Sequence, residues 1–276
     1  MRSEYTDRII KLLKENAYTK GIDQVFIDFL AMSAISIQNS VNHDDELENQ
    51  YLNIVGRYSK KELENFVEAF SNVVMGLEEK PDDILGNVFH KLELHNKWKG
   101  QFFTPMHICQ AMAEMTLGDG ESMKKHIEEK GYISVCEPTC GSGAMVIAMS
   151  EAMRKNELNP QRQMLAVCTD IDLKCAHMAY IQLSLLGVPA KIIHGNSLTM
   201  EQFSVWNTPF LFMNPQMLFH QSSSKPSVEQ SEPVDMAVMR HEPRDISFSS
   251  GEQISLFDDL FYSQGCDEDR DEDLEI

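Results

Sequence analysis

The chain has 276 residues, 42% hydrophobic and 24% charged, which is enough apolar material for one large or two modest globular domains. Its formal net charge of −19 means that the chain as a whole does not neutralise phosphates, so a nucleic-acid function requires a basic partner or a local basic patch. No apolar run approaches the ~18 residues of a membrane span, and there is no apolar signal segment or Cys-x-x-Cys pair. We therefore expect a cytoplasmic protein with reduced thiols, no membrane association and no metal site.

Residues 1–97 are predicted to form a helical domain of four or five helices. Apolar residues recur at three- and four-residue steps from Val25 to Ala34. Ser59 and Glu62 fit a capping box at the start of a second amphipathic stretch. Pro81 and Asp82 are predicted to start a further helix, and no strand pattern occurs in this region.

Residues 98–217 show a different pattern, in which short apolar runs alternate with helical stretches. The predicted strands are residues 132–136, 164–168, 190–194 and 209–213, and the predicted helices between the first three are residues 142–155 and 172–186. This alternation predicts an α/β fold, with a Rossmann-like parallel sheet covered on both faces. In such sheets, ligands bind at the carboxyl ends of the strands.

Polar or turn-forming residues follow each predicted strand. They occupy residues 137–143, 169–172, 194–197 and 214–217. In the first cluster, two glycines allow the backbone to approach a ligand, and the next helix directs its N-terminus toward it. The second cluster contains Asp170, and an acidic residue at the end of a second strand commonly binds the hydroxyls of a ribose. A glycine-rich turn alone is weak evidence, but clusters at four successive strand ends are more specific.

Residues 218–276 are predicted to form a mostly disordered acidic tail. Residues 217–276 have a net charge of −11, against −8 for the rest of the chain. Such a segment cannot bury enough apolar surface to fold by itself. Residues 235–239 and 245–248 are candidates for one or two short strands.

Four motifs lie within residues 80–217: G-Q-F-F-T-P at 100–105, E-P-T-C-G-S-G at 137–143, T-D-I-D at 169–172 and H-G-N-S-L at 194–198. Together they resemble the motifs of the N6-adenine DNA methyltransferases, in particular the modification subunit of type I restriction–modification systems. Residues 83–89 are similar to the helical segment that leads into these motifs. The resemblance implies a Rossmann-like S-adenosylmethionine-dependent methyltransferase core, shortened at its C-terminal side and preceded by a helical domain.

The resemblance also implies a binding site for S-adenosylmethionine as the cofactor. The matching positions are Phe103, Thr104, Glu137, Cys140, Gly141, Gly143, Asp170, Ile171 and Asn196. Glu137 would bind the amino group of the methionine part and Asp170 the ribose hydroxyls. Ile171 would pack on the adenine, and Asn196 would accept from its amino group.

The fourth motif implies the catalytic residues. Asn214 and the carbonyl of Pro215 would accept the hydrogens of the target amino group on an adenine flipped out of DNA. Gln216 stands where the family has a second proline and Met217 where it has an aromatic residue, so Met217 or Phe219 would substitute in base stacking. The implied function is direct methyl transfer to adenine N6. Sequence recognition would belong to a specificity subunit or another restriction–modification partner.

Two alternatives stay open on the sequence alone. The altered fourth motif and the short core also suit a catalytically impaired protein that binds the cofactor or an interaction partner, with a role in DNA processing or anti-restriction. RNA or protein methylation is a third interpretation, because motifs of this type also serve other planar nitrogens.

A short motif in the tail indicates another partner. Residues 253–257, Q-I-S-L-F, resemble the Q-L-[S/D]-L-F peptide that binds the bacterial sliding clamp, with Gln253, Leu256 and Phe257 as the matching residues. An acidic tail without a core is a plausible carrier for such a motif. The alternative is a docking helix, because Ile254 and Phe257 continue to Leu260 and Phe261 at helical spacing.

Overall fold

The computed structural model describes residues 2–18, 20–92, 103–118, 120–214 and 217. The predictions for the acidic tail and for the clamp-like motif lie outside these residues. None of the described helices is both long and apolar enough to cross a membrane.

The N-terminal region is helical, as the sequence predicts. Its helices are α1 (Arg2–Asn16), α2 (Ile22–Val41), α3 (Asp45–Val55), α4 (Lys60–Glu79) and α5 (Ile84–Lys91). The capping box at α4 is confirmed, because Ser59 Oγ accepts from the Glu62 amide and Glu62 Oε2 accepts from the Ser59 amide at 2.7 Å. Helix α5 begins at Ile84, two residues after Asp82 of the predicted start, with Asp83 as its N-cap.

The following region has α/β architecture. Its elements are α6 (Met106–Leu117), α7 (Glu121–Lys130), β1 (Ile133–Glu137), α8 (Ala144–Lys155), α9 (Pro160–Gln163), β2 (Met164–Asp170), α10 (Leu173–Leu185), β3 (Ala190–Asn196), β4 (Glu201–Asn207) and α11 (Pro209–Met213). The four-stranded sheet has the order β1-β2-β3-β4. The first three strands run parallel, and β4 runs antiparallel to β3. The predicted α/β fold and its first three strands are confirmed.

The fourth predicted strand, residues 209–213, is wrong: this segment is the short helix α11. Thr208 is its N-cap and Pro209 occupies its first turn, where proline has a φ suited to a helix and needs no amide donor. A five-residue apolar run does not distinguish a buried strand from a helical turn. The fourth strand is instead β4, in which Trp206 is buried in the core and Phe203 and Val205, on the other face, are partly exposed.

The sheet is covered by helices on one face. Alternate residues of β2, Met164, Ala166 and Cys168, are fully buried in the main core together with residues of α8 and α10. On the opposite face, Leu165 is buried in a small separate core with Leu211 and Met217. Val205, on the same face, is 41% exposed. Among the described residues, this second face therefore has only partial cover, unlike the doubly covered sheet that we predicted.

The N-terminal helices and the α/β region form one compact unit that ends at Met217. Helix α10 packs against α2, and the hydroxyl of Tyr180 donates to Gln38 Oε1 at 3.0 Å between them. The domain boundary between residues 97 and 98 stays a prediction.

Candidate functional site

The carboxyl ends of β1 and β2 bring the first two predicted motifs together. Glu137 and Asp170 are the last residues of these neighbouring strands. The amide of Cys140 donates to the Thr169 carbonyl at 2.9 Å, which joins the turn after β1 to the end of β2. Asp170 Oδ2 accepts from the Gly141 amide and Oδ1 from the Asp172 amide, both at 2.9 Å. The two acidic residues therefore flank one ordered turn.

Gly141 and Gly143 give this turn a conformation that residues with a Cβ rarely adopt. Their φ angles are +53° and +91°. A Cβ on Gly141 would lie 2.9 Å from Phe103 Cδ1, and one on Gly143 would lie 3.3 Å from Ala179. Gly143 is also the N-cap of α8, so the positive end of that helix dipole lies beside the turn. Glycine at these two positions therefore lets the backbone of the turn pack closely against Phe103 and Ala179.

Phe103 is held over the turn by residues of α5. Its ring lies 5.1 Å from that of Phe89 and 5.0 Å from that of His90, measured between centroids. Its amide donates to His90 Nε2 at 3.3 Å. The neighbouring Thr104 is exposed, and its carbonyl accepts from the thiol of Cys109. Phe103, expected near the methionine end, therefore lies beside the turn. Thr104, expected at the same end, directly follows it in sequence.

The site favours a positively charged ligand. Burial raises the pKa of Glu137, and repulsion from Asp170 adds to this increase. Burial also raises the pKa of Asp170, and repulsion from Asp172 acts in the same direction, against its two backbone hydrogen bonds. A ligand cation relieves such repulsion and favours the ionised carboxylates. S-adenosylmethionine carries an ammonium and a sulfonium group, so the charge of this edge and the glycine turn both fit it.

The remaining expected cofactor residues lie at the same edge. Ile171 follows β2 and is 63% exposed, which leaves its side chain available to pack on an adenine ring. Asn196 is the last residue of β3, but its Oδ1 accepts from the amides of Leu198 and Thr199 at 3.0 and 3.3 Å. Because a carbonyl oxygen has two lone pairs, these contacts compete with the predicted acceptance from the adenine amino group. Cys140, within the turn, is buried.

Asn214 does not lie at this edge, contrary to the predicted fourth strand-end cluster. Its side-chain amide donates to the carbonyls of Phe210 at 2.7 Å and Gln161 at 3.3 Å. Gln161 belongs to α9, and this helix directly precedes the first residue of β2. The Gln161 carbonyl therefore lies at the amino end of the sheet. Strand β2 has seven residues, so at about 3.3 Å per residue its two ends are about 20 Å apart. The reason is that α11 follows an antiparallel strand, which returns the chain to the amino end of the sheet.

Met217 also differs from the predicted role as a base-stacking residue. It is 1% exposed, its side chain packs with Leu165 and Leu211, and its carbonyl accepts from the Tyr132 hydroxyl at 3.3 Å. A side chain in this position has no surface on which a base could stack. Pro215 and Phe219 lie outside the described residues, as do Gln253, Leu256 and Phe257.

Sequence reasoning missed a group of buried polar residues behind the turn. Ser142, Asp83 and Gln182 are buried and hydrogen-bonded to one another. Gln182 lies within α10, where residues on every side are buried. A polar residue in a helix that is buried all round requires a partner, so this position could have been recognised.

Comparison with known proteins gives one family match. The sequence model of the family described as N-6 DNA methylase matches residues 81–248, more than half of the chain. Among solved structures, a candidate class I S-adenosylmethionine-dependent methyltransferase from Listeria monocytogenes matches with a TM-score of 0.40 and 17% identity. That match covers 73% of this chain and 56% of the other, so the chain spans little more than half of that protein's length. A comparison with curated proteins gives no match.

Proposed function

Because the chain belongs to the N-6 DNA methylase family, whose cofactor is S-adenosylmethionine, we propose that it methylates N6 of adenine in DNA. The observation that carries this proposal is the carboxyl edge of the sheet, where Glu137 and Asp170 flank the glycine turn. We further propose a cytoplasmic modification protein of a restriction–modification system. In view of its net charge of −19, a basic partner subunit would supply sequence recognition and most phosphate contacts.

Different residues at the carboxyl edge of the sheet would bind different parts of the cofactor. Glu137 would accept from the ammonium of the methionine part, and Asp170 would accept from ribose hydroxyls with the lone pairs that its two backbone bonds leave. Ile171 would cover one face of the adenine. Phe103 would close the methionine end, since it is fixed over Gly141. When bound, the cofactor supplies an electrophilic methyl group on a sulfonium.

We propose that Asn214 and Pro215 orient the target amine. The side-chain nitrogen of Asn214 donates to two backbone carbonyls. Because the amide group is planar, these bonds also fix the direction of its oxygen. A hydrogen-bond acceptor must lie within about 3 Å of the amine during transfer. The segment that contains Asn214 would therefore have to leave the amino end of the sheet when DNA binds. In-line transfer to the amine then requires no covalent intermediate with the protein.

The test combines cofactor binding with methyl transfer. Full-length wild-type protein is titrated calorimetrically with S-adenosylmethionine and then incubated with labelled cofactor and unmethylated DNA. Micromolar binding and label recovered as N6-methyladenine support the proposal. Label in cytosine, RNA or protein would assign a different substrate class. No transfer to DNA, with or without a co-purified partner subunit, would contradict it.

A second candidate function is favoured by the position of Asn214. In this alternative the chain binds the cofactor or a DNA-processing partner, but does not bring acceptor groups to the amine. Restoring the motif with Gln216→Pro and Met217→Phe distinguishes the two. Methylation that appears only after this change identifies an impaired enzyme, and cofactor binding without transfer in either form supports the interaction protein.

A further inference from the structure

A buried carboxylate lies directly behind the glycine turn. Asp83, the N-cap of α5, is 6% exposed. The Ser142 hydroxyl donates to its Oδ2 at 2.6 Å, and the Gly86 amide and Gln182 Nε2 donate to its Oδ1 at 2.9 and 3.0 Å. Burial raises the pKa of Asp83, and these three donors act against that increase by stabilising the ionised carboxylate.

Gln182 completes the arrangement from α10. Its side-chain nitrogen also donates to the Ser142 carbonyl at 2.8 Å, and its Oε1 accepts from the Leu85 amide at 3.0 Å. Both hydrogens and the oxygen of this buried amide are therefore paired. Asp83 and Gln182 together join the start of α5, the middle of α10 and the turn that precedes α8.

This network is positioned to control the turn rather than to contact the ligand. Ser142 lies between Gly141 and Gly143, yet both its hydroxyl and its carbonyl point into the protein, and it is 1% exposed. The two glycines permit many backbone conformations, so the turn needs side-chain anchors to hold a single one. A satisfied polar network fixes one arrangement in a way that apolar packing does not.

We propose that Asp83, with Gln182, is a positioning residue for S-adenosylmethionine: it anchors Ser142 and thereby holds the Gly141–Gly143 turn in the binding conformation. This inference rests on the proposed cofactor site and adds to it a residue from the N-terminal helical region. Asp83 acts through Ser142 and has no contact with the cofactor.

Ser142→Ala is the most direct test, with Ser150→Ala as its matched control. Ser150 lies on the adjoining helix α8, is fully buried, and donates to the Ile147 carbonyl at 2.8 Å. Both variants of the full chain lose one buried hydroxyl and its hydrogen bond, so both are expected to lower the melting temperature. Only Ser142→Ala is expected to weaken calorimetric binding of S-adenosylmethionine, about tenfold or ~1.4 kcal/mol, against less than twofold for Ser150→Ala.

Asp83→Asn provides a second variant that keeps the shape of the side chain. Its nitrogen takes the place of Oδ2, so the Ser142 hydroxyl loses its charged acceptor and can only accept from a neutral amide. Binding is therefore expected to weaken without a large loss of folding. Because Asp83→Asn weakens the contact that Ser142→Ala removes, the double variant should bind no more weakly than Ser142→Ala alone. In the ligand-free protein, the Gly143 amide, which donates to the Cys140 carbonyl at 2.8 Å, should exchange with deuterium faster in Ser142→Ala than in Ser150→Ala.

The outcomes separate this inference from the proposed function. If the wild type binds S-adenosylmethionine and Ser142→Ala binds as tightly as Ser150→Ala, the positioning role is wrong and the cofactor site stands. Additive losses in the double variant also contradict it. If the folded wild type does not bind S-adenosylmethionine at millimolar concentration, the proposed function is wrong, and the positioning role is rejected with it.

Discussion

The carboxylate of Asp170 accepts a hydrogen bond from the backbone amide of Gly141 at 2.9 Å, so one side chain links the ends of two parallel strands. Its other oxygen accepts from the Asp172 amide. Asp170 therefore shapes the turn at the same time as it offers charge to a ligand.

Asp170→Ala is expected to abolish micromolar binding of S-adenosylmethionine, because it removes both the turn contact and the proposed acceptor for the ribose. Calorimetric titration measures this. Asp44→Ala is the matched control: Asp44 also accepts from two backbone amides, as the N-cap of α3, but on an exposed helix end. Asp44→Ala should lose roughly 1 kcal/mol of stability as an N-cap, and Asp170→Ala roughly as much for its lost hydrogen bonds. Equal affinities in the two variants would contradict the role of Asp170.

Gly141→Ala is expected to weaken cofactor binding at least tenfold. The new Cβ would lie 2.9 Å from Phe103 Cδ1, so either the ring or the turn must shift. Gly131→Ala is a suitable control, because Gly131 has a φ of +86° but a Cβ added there would meet no described atom within 4 Å. Both substitutions impose a strained backbone, costing of order 1 kcal/mol. A comparable loss of binding in Gly131→Ala would show that general destabilisation is responsible.

Met217→Ala is expected to destabilise the protein by about 2 kcal/mol, because it removes a buried side chain from a small core. Met213→Ala should have little effect, since Met213 is 70% exposed in the preceding helix α11. Chemical denaturation measures both, and calorimetry should show unchanged affinity for S-adenosylmethionine in each. Full stability of Met217→Ala together with a loss of DNA methylation would instead support a base-stacking role.

Affinity for S-adenosylmethionine is expected to fall under mildly acidic conditions. The pKa values of Glu137 and Asp170 are raised by burial, so these groups protonate at a higher pH than exposed carboxyls. A cationic ligand prefers the ionised forms, and affinity is therefore lost as pH falls through these pKa values. Their contribution to the stability of the free protein has the opposite sign, because the folded chain binds these protons more tightly than the unfolded chain does.

Titrations from pH 7 to pH 4.5 on the wild type and Glu137→Gln measure this dependence. The variant should bind more weakly at pH 7 and show a shallower decrease in affinity toward low pH. The same slope in both proteins would remove Glu137 from the site.

A peptide of residues 250–262 is expected to bind a bacterial sliding clamp with micromolar affinity. Leu256→Ala with Phe257→Ala should abolish binding, whereas Leu260→Ala with Phe261→Ala should not, because only the first pair belongs to the clamp-like motif. Fluorescence anisotropy distinguishes the two peptides. Dependence on Leu260 and Phe261 would favour a docking helix, and no binding at several hundred micromolar would end the clamp hypothesis.

Local sequence signals predict most of the elements near the site. Ser59 and Glu62 mark the start of α4, and the first three strands begin within one residue of the predicted positions. The glycine turn could be predicted because its residues are adjacent in sequence. Its contact with Asp170 follows from the register of neighbouring parallel strands.

The position of Asn214 could not be predicted in this way. It depends on the direction of β4, and a strand that returns antiparallel to β3 has the same local alternation as one that runs parallel. The burial of Met217 follows from that reversal, since the segment after β4 packs at the amino end of the sheet. The Asp83–Ser142–Gln182 network joins residues that are far apart in sequence. Its one signal in the sequence is Gln182, a polar residue within the apolar helix α10.

The anchoring of the turn by α5 also bears on how the chain folds. At its start, helix α5 holds the turn through Asp83. At its other end, Phe89 and His90 of the same helix pack against Phe103. A fragment that begins at residue 98 would expose the apolar surface of α10 that α2 covers and leave Gln182 and Ser142 without their buried acceptor. Residues 1–97 and 98–217 should therefore melt in one cooperative transition.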